Sequence, residues 1–269
     1  MKYTRSFLKW AGSKHSCLHQ IIPEFPQAKR LIEPFVGSGT VFINSNYPCY
    51  LLAEENQDLI NLFSYLKKEG DKFITYCQKF FTLKNNTPER YYALRDEFNR
   101  LGQTRRRAAL FMYLNRHGYN GLCRFNSMGG YNVPMGSYVK PRFPKKEMMH
   151  FYQSSQDATF VKADFRETFA EAKFGDLIYC DPPYAPIEQA SNFSAYTKGG
   201  FDEKDHLDLT ALATKVAQKG VVVVISNHDT GFTRELYSEA ALRSFPVGRK
   251  ISSNICGRQP VQELLAVFS

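Results

Sequence analysis

Asp181-Pro182-Pro183-Tyr184 is the stretch of this chain whose residue types and spacing most directly suggest chemistry. It follows an apolar run, Asp176-Leu177-Ile178-Tyr179-Cys180, of the kind that forms a buried strand. In open α/β sheets ligands collect just beyond strand ends. The two prolines fix φ and restrict the residue before each of them, so the turn is rigid. It would hold out the Asp181 carboxylate, the Pro182 carbonyl and the face of Tyr184. That set suits a flat heterocycle with an exocyclic amine: the ring stacks on Tyr184, and the amine donates to Asp181 and to the Pro182 carbonyl. The same residues would also serve as a plain strand-to-loop turn, and taken alone they leave both readings open.

A second cluster lies nearer the amino end. Ile32-Glu33-Pro34-Phe35-Val36-Gly37-Ser38-Gly39-Thr40-Val41-Phe42 follows a predicted strand and is expected to open a helix. A dinucleotide fingerprint needs a third glycine where Phe42 stands, which counts against a nicotinamide cofactor. Gly37 and Gly39 still let a ligand approach the backbone closely. The following strand, Tyr50-Leu51-Leu52-Ala53, ends in Glu54, whose carboxylate could accept both ribose hydroxyls of an adenosine-containing cofactor. Phe7-Leu8-Lys9-Trp10-Ala11-Gly12-Ser13-Lys14 sets the only tryptophan between two lysines. Trp10 either anchors the terminus or, with Ala11, walls a cofactor pocket in which Lys14 meets the carboxylate of an amino-acid tail.

Elements that could position these residues are legible around them. The carboxyl half alternates predicted strands (159–163, 176–180, 221–226 and 263–268) with an amphipathic helix over 202–219, and the amino part adds strands at 30–32 and 50–53. Val221-Val222-Val223-Val224-Ile225 is apolar throughout, as in a strand covered on both faces. The pattern is α/β: a doubly wound, mostly parallel sheet. Residues 57–118 change character and predict four helices, over 57–69, 72–81, 88–101 and 104–117, with Thr87 capping the third ahead of Pro88. Residues 118–150 are rich in Gly, Asn, Tyr and Pro and read as loop, with a hairpin near Met128-Gly129-Gly130-Tyr131. We expect a catalytic domain of residues 1–56 and 145–269, interrupted by a helical recognition insertion of residues 57–144.

Charge is located, not diffuse. Residues 55–150 hold 17 Lys and Arg against 8 Asp and Glu, which is the whole +9 excess of the chain. A polyanion engaged by that segment is the natural explanation. Within it, Arg105-Arg106-Arg107 is expected to touch phosphates or to form a solvated face. With 43% hydrophobic and 23% charged residues the chain is neither disordered nor fibrous. No run approaches the roughly 18 apolar residues of a membrane span, and the amino end lacks a signal-peptide apolar stretch. Six cysteines stand singly, so neither a zinc site nor a disulfide framework is expected. These features suggest a cytoplasmic protein, nucleoid-associated through DNA, with no metal and no obligate protein partner.

Glycine loop, acidic strand end, basic insertion and Asp-Pro-Pro-Tyr, in that order, resemble the alpha class of amino-methylating DNA methyltransferases. Phe7-Leu8-Lys9-Trp10-Ala11-Gly12, Tyr113-Leu114-Asn115-Arg116, Gly118-Tyr119-Asn120-Gly121-Leu122-Cys123-Arg124, Asn132-Val133-Pro134 and Ile225-Ser226-Asn227-His228-Asp229 narrow this to the GATC-specific DNA adenine methyltransferase (Dam) family. The resemblance implies a methyltransferase fold with an inserted recognition domain, S-adenosylmethionine as methyl donor, and the amino group of a flipped adenine in duplex GATC as acceptor, with ties to DNA replication and mismatch repair. It implies catalytic Asp181, Pro182 and Tyr184. It implies donor-binding Trp10, Ala11, Lys14, Pro34, Gly37, Gly39, Glu54, Asp164, Phe165 and Asp181, and DNA-binding Lys9, Tyr119, Asn120, Leu122, Arg124, Pro134 and Tyr138. Two departures stand out: relatives typically carry aspartate where Glu54 stands, and some carry arginine where this chain has Ser137. An amino-methyltransferase acting on RNA, or on cytosine, and a non-catalytic DNA-binding regulator are the competing readings. A loop over 185–200, followed by Phe201, is expected to order over the flipped base.

Overall fold

In a computed structural model, residues 3–185, 201–248 and 261–269 are described. Strands are β1 (Arg30–Glu33), β2 (Tyr50–Glu54), β3 (Ala158–Lys162), β4 (Asp176–Cys180), β5 (Val222–His228), β6 (Ala241–Val247) and β7 (Val261–Phe268). Helices are α1 (Leu18–Ile21), α2 (Gln57–Glu69), α3 (Asp71–Gln78), α4 (Pro88–Arg100), α5 (Arg105–His117), α6 (Lys145–Ser154), α7 (Phe165–Ala170), α8 (Glu203–Ala217) and α9 (Gly231–Leu236). The chain forms two compact units. The first comprises Met1–His15, Gly37–Asn44 and Glu54–Lys162; the second comprises Ser16–Val36, Ser45–Ala53 and Ala163–Ser269.

Nearly all of the strands fall in the second unit, in the order β2-β1-β4-β5-β7-β6. β2, β1, β4 and β5 run parallel, and β7 lies antiparallel between β5 and β6. β4 is buried at every residue, and β5 at all but its ends. That explains their continuous apolar sequences, since helices cover both faces of a parallel sheet. β6 has no counterpart among the expected strands. It is an edge strand, mostly exposed, whose Pro246 stands opposite Gln262 on β7, the kind of strand in which a missing N–H is tolerated. The chain leaves β1 toward β2 on one side and returns to β4 on the other, which makes a topological switch point at the carboxyl ends of β1 and β4.

The first unit is mainly helical. Asn56 caps α2 through Asp58 and Leu59, Thr87 caps α4 through Arg90, and Thr104 caps α5 through Arg107, so α2 and α4 start where the sequence puts them and α5 one residue later. Phe7, Phe63 and Phe151 meet with ring centroids 4.6–6.1 Å apart at its core. Two expectations are corrected here. The glycine loop opens no α-helix; it leads into a single 3₁₀ turn over Phe42–Asn44. Residues 145–150, expected as the end of a loop, instead begin α6 (Lys145–Ser154), whose amino end has no side-chain cap. The run Arg105-Arg106-Arg107 is paired within the unit, Arg105 with Glu69 at 2.6 Å, Arg106 with Glu97, and Arg107 with the buried Asp58, and the first two side chains stay 36% and 44% exposed, as on a solvated face.

Two buried histidines give the fold a predictable response to acid. His117 and His206 are each 1% exposed, and burial pushes both down to about 4. His117 stacks on Tyr113 at 4.0 Å and donates from Nδ1 to the Tyr113 carbonyl at 3.0 Å. An unfolded histidine titrates near 6.5, so between pH 6.5 and 4 the unfolded chain binds more protons than the folded one. Stability is complete above that window and is lost as pH falls through it, by about 2 kcal/mol per histidine at pH 5. Thermal unfolding between pH 7 and 5 should show this slope, and His117→Phe should flatten it. An unchanged slope in that variant would refute the assignment.

Candidate active site

At the switch point of the second unit, β4 delivers Asp181 directly after Cys180, whose register partner on β5 is Ile225. The next residue on β5, Ser226, is fully buried and holds its hydroxyl 3.3 Å from Asp181 Oδ1 and 3.3 Å from the Cys180 carbonyl. One hydroxyl proton serves either acceptor at a time, while the Tyr179 hydroxyl, 2.9 Å away, can donate to Ser226 Oγ. Asp181 is thus tethered from the next strand but keeps partial exposure, and Pro182 beside it is buried.

Tyr184 is held from the far side of the same sheet. Its hydroxyl donates to Glu263 Oε2 on β7 at 3.1 Å, and its ring meets His228 edge-to-face at 4.7 Å. Burial, then the nearby Asp181 carboxylate, raises the phenol well above its ordinary value, so it remains a donor. Asn227 closes the turn: its Oδ1 accepts the Ala185 N–H at 3.1 Å, its Nδ2 donates to Tyr237, and His228 Nδ1 donates to the Ala185 carbonyl at 2.8 Å. In the sequence Ile225-Ser226-Asn227-His228-Asp229 stands out as a motif without a role. That role is to brace the proline turn. The expected loop beyond Ala185 lies outside the described residues, while Phe201 packs on Phe165 and Phe35 at 5.5 and 5.6 Å.

Pro34 is buried at the end of β1, and the neighbouring Phe35 ring stacks on Phe165 at 5.7 Å. β3 ends at Lys162, two residues before Asp164. Asp164 caps α7 by accepting the Arg166 N–H at 2.7 Å, and its carboxylate pairs with the Arg166 guanidinium. Arg166 is also bound by Asp205 and Asp208.

The other expected donor-binding residues share the first unit. Gly37 has φ +46°, and a Cβ there would stand 3.0 Å from Trp10 Nε1. The indole therefore lies over the glycine backbone, an approach open to no side chain. Gly37 N–H donates to Glu54 Oε2 at 3.2 Å, and Asn56 N–H donates to Glu54 Oε1 at 3.4 Å. Burial raises the Glu54 carboxyl, and these two amides oppose the rise. The longer glutamate side chain is accommodated by this grip. Trp10, Gly37 and Glu54 thus form one cluster: an aromatic face, a close-approach backbone and an oriented carboxylate. That donor set fits an adenosine-bearing cofactor. Lys14 is buried and donates to the Gly12 carbonyl at 3.0 Å, Ala11 is exposed, and Gly39 is buried against Phe151.

The expected DNA-binding residues also gather in the first unit. The anticipated hairpin forms, with Phe125 bridging Tyr131 and the Asn126 carboxamide accepting Met128 and Gly130 N–H groups. Tyr119 is 50% exposed and Leu122 36%, an apolar pair projecting from one short turn that carries Asn120 at φ 50°. Arg124 is exposed, its Nε donating to Asn132 Oδ1 at 2.8 Å. Lys9 places its ammonium 3.4 Å over the Tyr138 ring, and Pro134 is exposed and accepts the Tyr119 N–H at 2.9 Å. Among the described residues no cluster of His, Cys, Asp and Glu could hold a metal ion, and no helix is long and apolar enough to cross a membrane.

Residues 10–251 match the family model described as D12 class N6 adenine-specific DNA methyltransferase. A protein of Vibrio cholerae serotype O1 named DNA adenine methylase is 47% identical over 270 residues, spanning all of this chain and 98% of its own. Proteins of the same name from Serratia marcescens and Escherichia coli K12 are 47% and 44% identical, over all of this chain and 100% and 96% of theirs. Among solved structures, a precorrin-6y C5,15-methyltransferase of Geobacter metallireducens aligns with all of this chain and 95% of its own at 9% identity and a TM-score of 0.39.

Proposed function

Because the chain belongs to the D12 class N6 adenine-specific DNA methyltransferases, an enzyme family using a methyl donor, we propose that the donor is S-adenosylmethionine and the acceptor an adenine flipped out of duplex GATC. Asp181 carries this reading: a carboxylate at the switch point, tethered by Ser226 and followed by a buried proline and a braced tyrosine. The donor would supply a methyl group already activated on a sulfonium, so the chain's own work is binding, orientation and hydrogen bonding. Trp10, Gly37 and Glu54 support its adenosine, with Glu54 accepting ribose hydroxyls on lone pairs left by the two amides. Asp181 and the Pro182 carbonyl accept the two amine hydrogens of adenine. The nitrogen lone pair is then turned out of conjugation and toward the methyl carbon, and rate comes from positioning and electrostatics. Methylation makes the nitrogen strongly acidic, so its surplus proton leaves without a dedicated base.

Adenine's amine is paired in duplex DNA, so the base must leave the stack, at a cost of a few kcal/mol. Stacking on Tyr184 offsets part of that, and the exposed Tyr119 and Leu122 are suited to fill the gap left behind. Labelled S-adenosylmethionine incubated with duplexes containing or lacking GATC, followed by nucleoside analysis, tests the reading. N6-methyladenine in the GATC duplex alone is expected; label in a matched RNA duplex, or on cytosine, would overturn it. Arg124 is the expected reader of a guanine edge, and a bidentate contact of that kind discriminates by about 1–3 kcal/mol. Arg124→Ala should therefore lower preference at one base pair by about 5- to 150-fold while near-cognate transfer persists. A uniform loss on all duplexes would instead mark a phosphate contact.

A further inference from the structure

Asn115 belongs to none of the roles assigned above, yet its side chain is placed with unusual economy. It lies on α5 at 1% exposure, where an amide is costly unless bonded. Its Oδ1 accepts the Lys9 N–H at 2.9 Å, and its Nδ2 donates to the Lys9 carbonyl at 2.7 Å and to the Gly121 carbonyl at 3.5 Å. The carboxamide thus pairs with both backbone groups of Lys9 as a neighbouring strand would, and reaches the Tyr119–Leu122 turn with the same amine.

Gly121 also packs closely against the Lys9 side chain. A Cβ at Gly121, where φ is +68°, would stand 2.1 Å from Lys9 Cβ. On one side of this junction the chain continues into Trp10, whose indole covers Gly37, whose amide in turn holds Glu54. On the other side Gly121 lies between the exposed Tyr119 and Leu122, and the Lys9 ammonium reaches the Tyr138 ring. A leucine has the same branching at Cγ, is somewhat larger, and would make none of these bonds.

We propose that Asn115 is a positioning residue that links the donor-binding wall to the DNA-recognition turn, so that occupancy of one orders the other. The proposal rests on the reading that Trp10 and Glu54 face the donor. Coupling of this kind is reciprocal and typically amounts to a factor of about 5–150 in affinity.

Unmodified protein gives the first test. Donor binding is measured by calorimetry with S-adenosylmethionine alone, and amide exchange is followed over residues 118–124, where Tyr119, Gly121 and Leu122 N–H groups are hydrogen-bonded. Exchange there should slow by about threefold or more when the donor binds without DNA. Donor binding with unchanged exchange would overturn the proposal and leave the donor reading intact; absence of any donor binding would overturn both. Asn115→Leu gives the second. It should bind donor within about threefold of the unmodified protein and keep duplex affinity without donor. The enhancement of duplex affinity by donor, about fivefold or more in the unmodified protein, should fall to about twofold or less. KM for duplex at saturating donor should rise by the lost factor, with kcat little changed. Retained enhancement in the folded variant would also overturn the proposal, and if that variant fails to fold, the exchange result on the unmodified protein decides.

Discussion

Asp181→Ala is expected to lower methyl transfer, at saturating donor and duplex, by about 10³-fold or more, the loss associated with a preorganised group acting on the transition state. The reason is positional. The amine of adenine is a poor nucleophile because its lone pair is delocalised into the ring, and only a fixed acceptor on the amine hydrogens can pyramidalise it. Asp181 is such an acceptor, since the Ser226 hydroxyl restrains Oδ1 and the buried Pro182 restrains the backbone. Asp181→Asn keeps shape and one acceptor, so it should retain about tenfold more activity than the alanine variant. Ser226→Ala removes one hydrogen bond to the carboxylate, of a kind contributing about 0.5–1.5 kcal/mol, and should cost at most about tenfold. Single-turnover rates and duplex affinities measured together check the series. Duplex affinity should stay within about threefold throughout, because sequence-independent DNA affinity comes from basic contacts to the backbone. An alanine variant retaining a tenth of the normal rate would remove Asp181 from the chemistry.

How much of this was legible in the sequence depends on whether the cause was local. β4 and β5 could be read because a covered parallel strand is apolar at every position, and α2, α4 and α5 because Asn56, Thr87 and Thr104 stand just ahead of apolar periodicity. β6 could not, since an exposed edge strand carrying Arg243, Ser244 and Pro246 has neither alternation nor an apolar run. α7 and α9 span six residues each, too few to establish a period. In the candidate site, Asp181, Pro182 and Tyr184 announce themselves by adjacency. Ser226 and Glu263 do not, because only the register of β4 on β5 and of β5 on β7 brings them near the turn. The same holds for the charge excess. Composition already subtracts Asp58, Glu69 and Glu97 in reaching +9, but it does not reveal that these acids pair with Arg107, Arg105 and Arg106, 9 to 49 residues away in sequence, which assigns the excess to other cations of the segment.

The last of those pairs carries the largest expected effect on stability. Arg107 and Asp58 have side chains 12% and 6% exposed, and the guanidinium meets both carboxylate oxygens, with Nη2 at 2.8 Å from Oδ2. Its remaining Nη1 donates to the Phe98 and Leu101 carbonyls at 2.8 and 2.6 Å, closing the end of α4 onto the start of α5. Asp58→Ala would leave a buried guanidinium without its counter-charge, a change that typically costs about 3–5 kcal/mol. Because a chain of this length loses about 2–4 °C in Tm per kcal/mol, the variant should melt roughly 10 °C lower. Asp58→Asn, which keeps an acceptor but no charge, should fall between. The pair also bears on recognition, since α5 ends at the His117–Gly118 junction from which Tyr119 and Leu122 project. Loosening its start should therefore raise KM for duplex before it changes donor binding. Calorimetric melting and duplex KM for Asp58→Ala, Arg107→Met and the double variant separate the two effects. If the double variant is no more stable than Asp58→Ala, the cost does not come from an uncompensated buried charge, and the ion pair is not what holds α5 against α2.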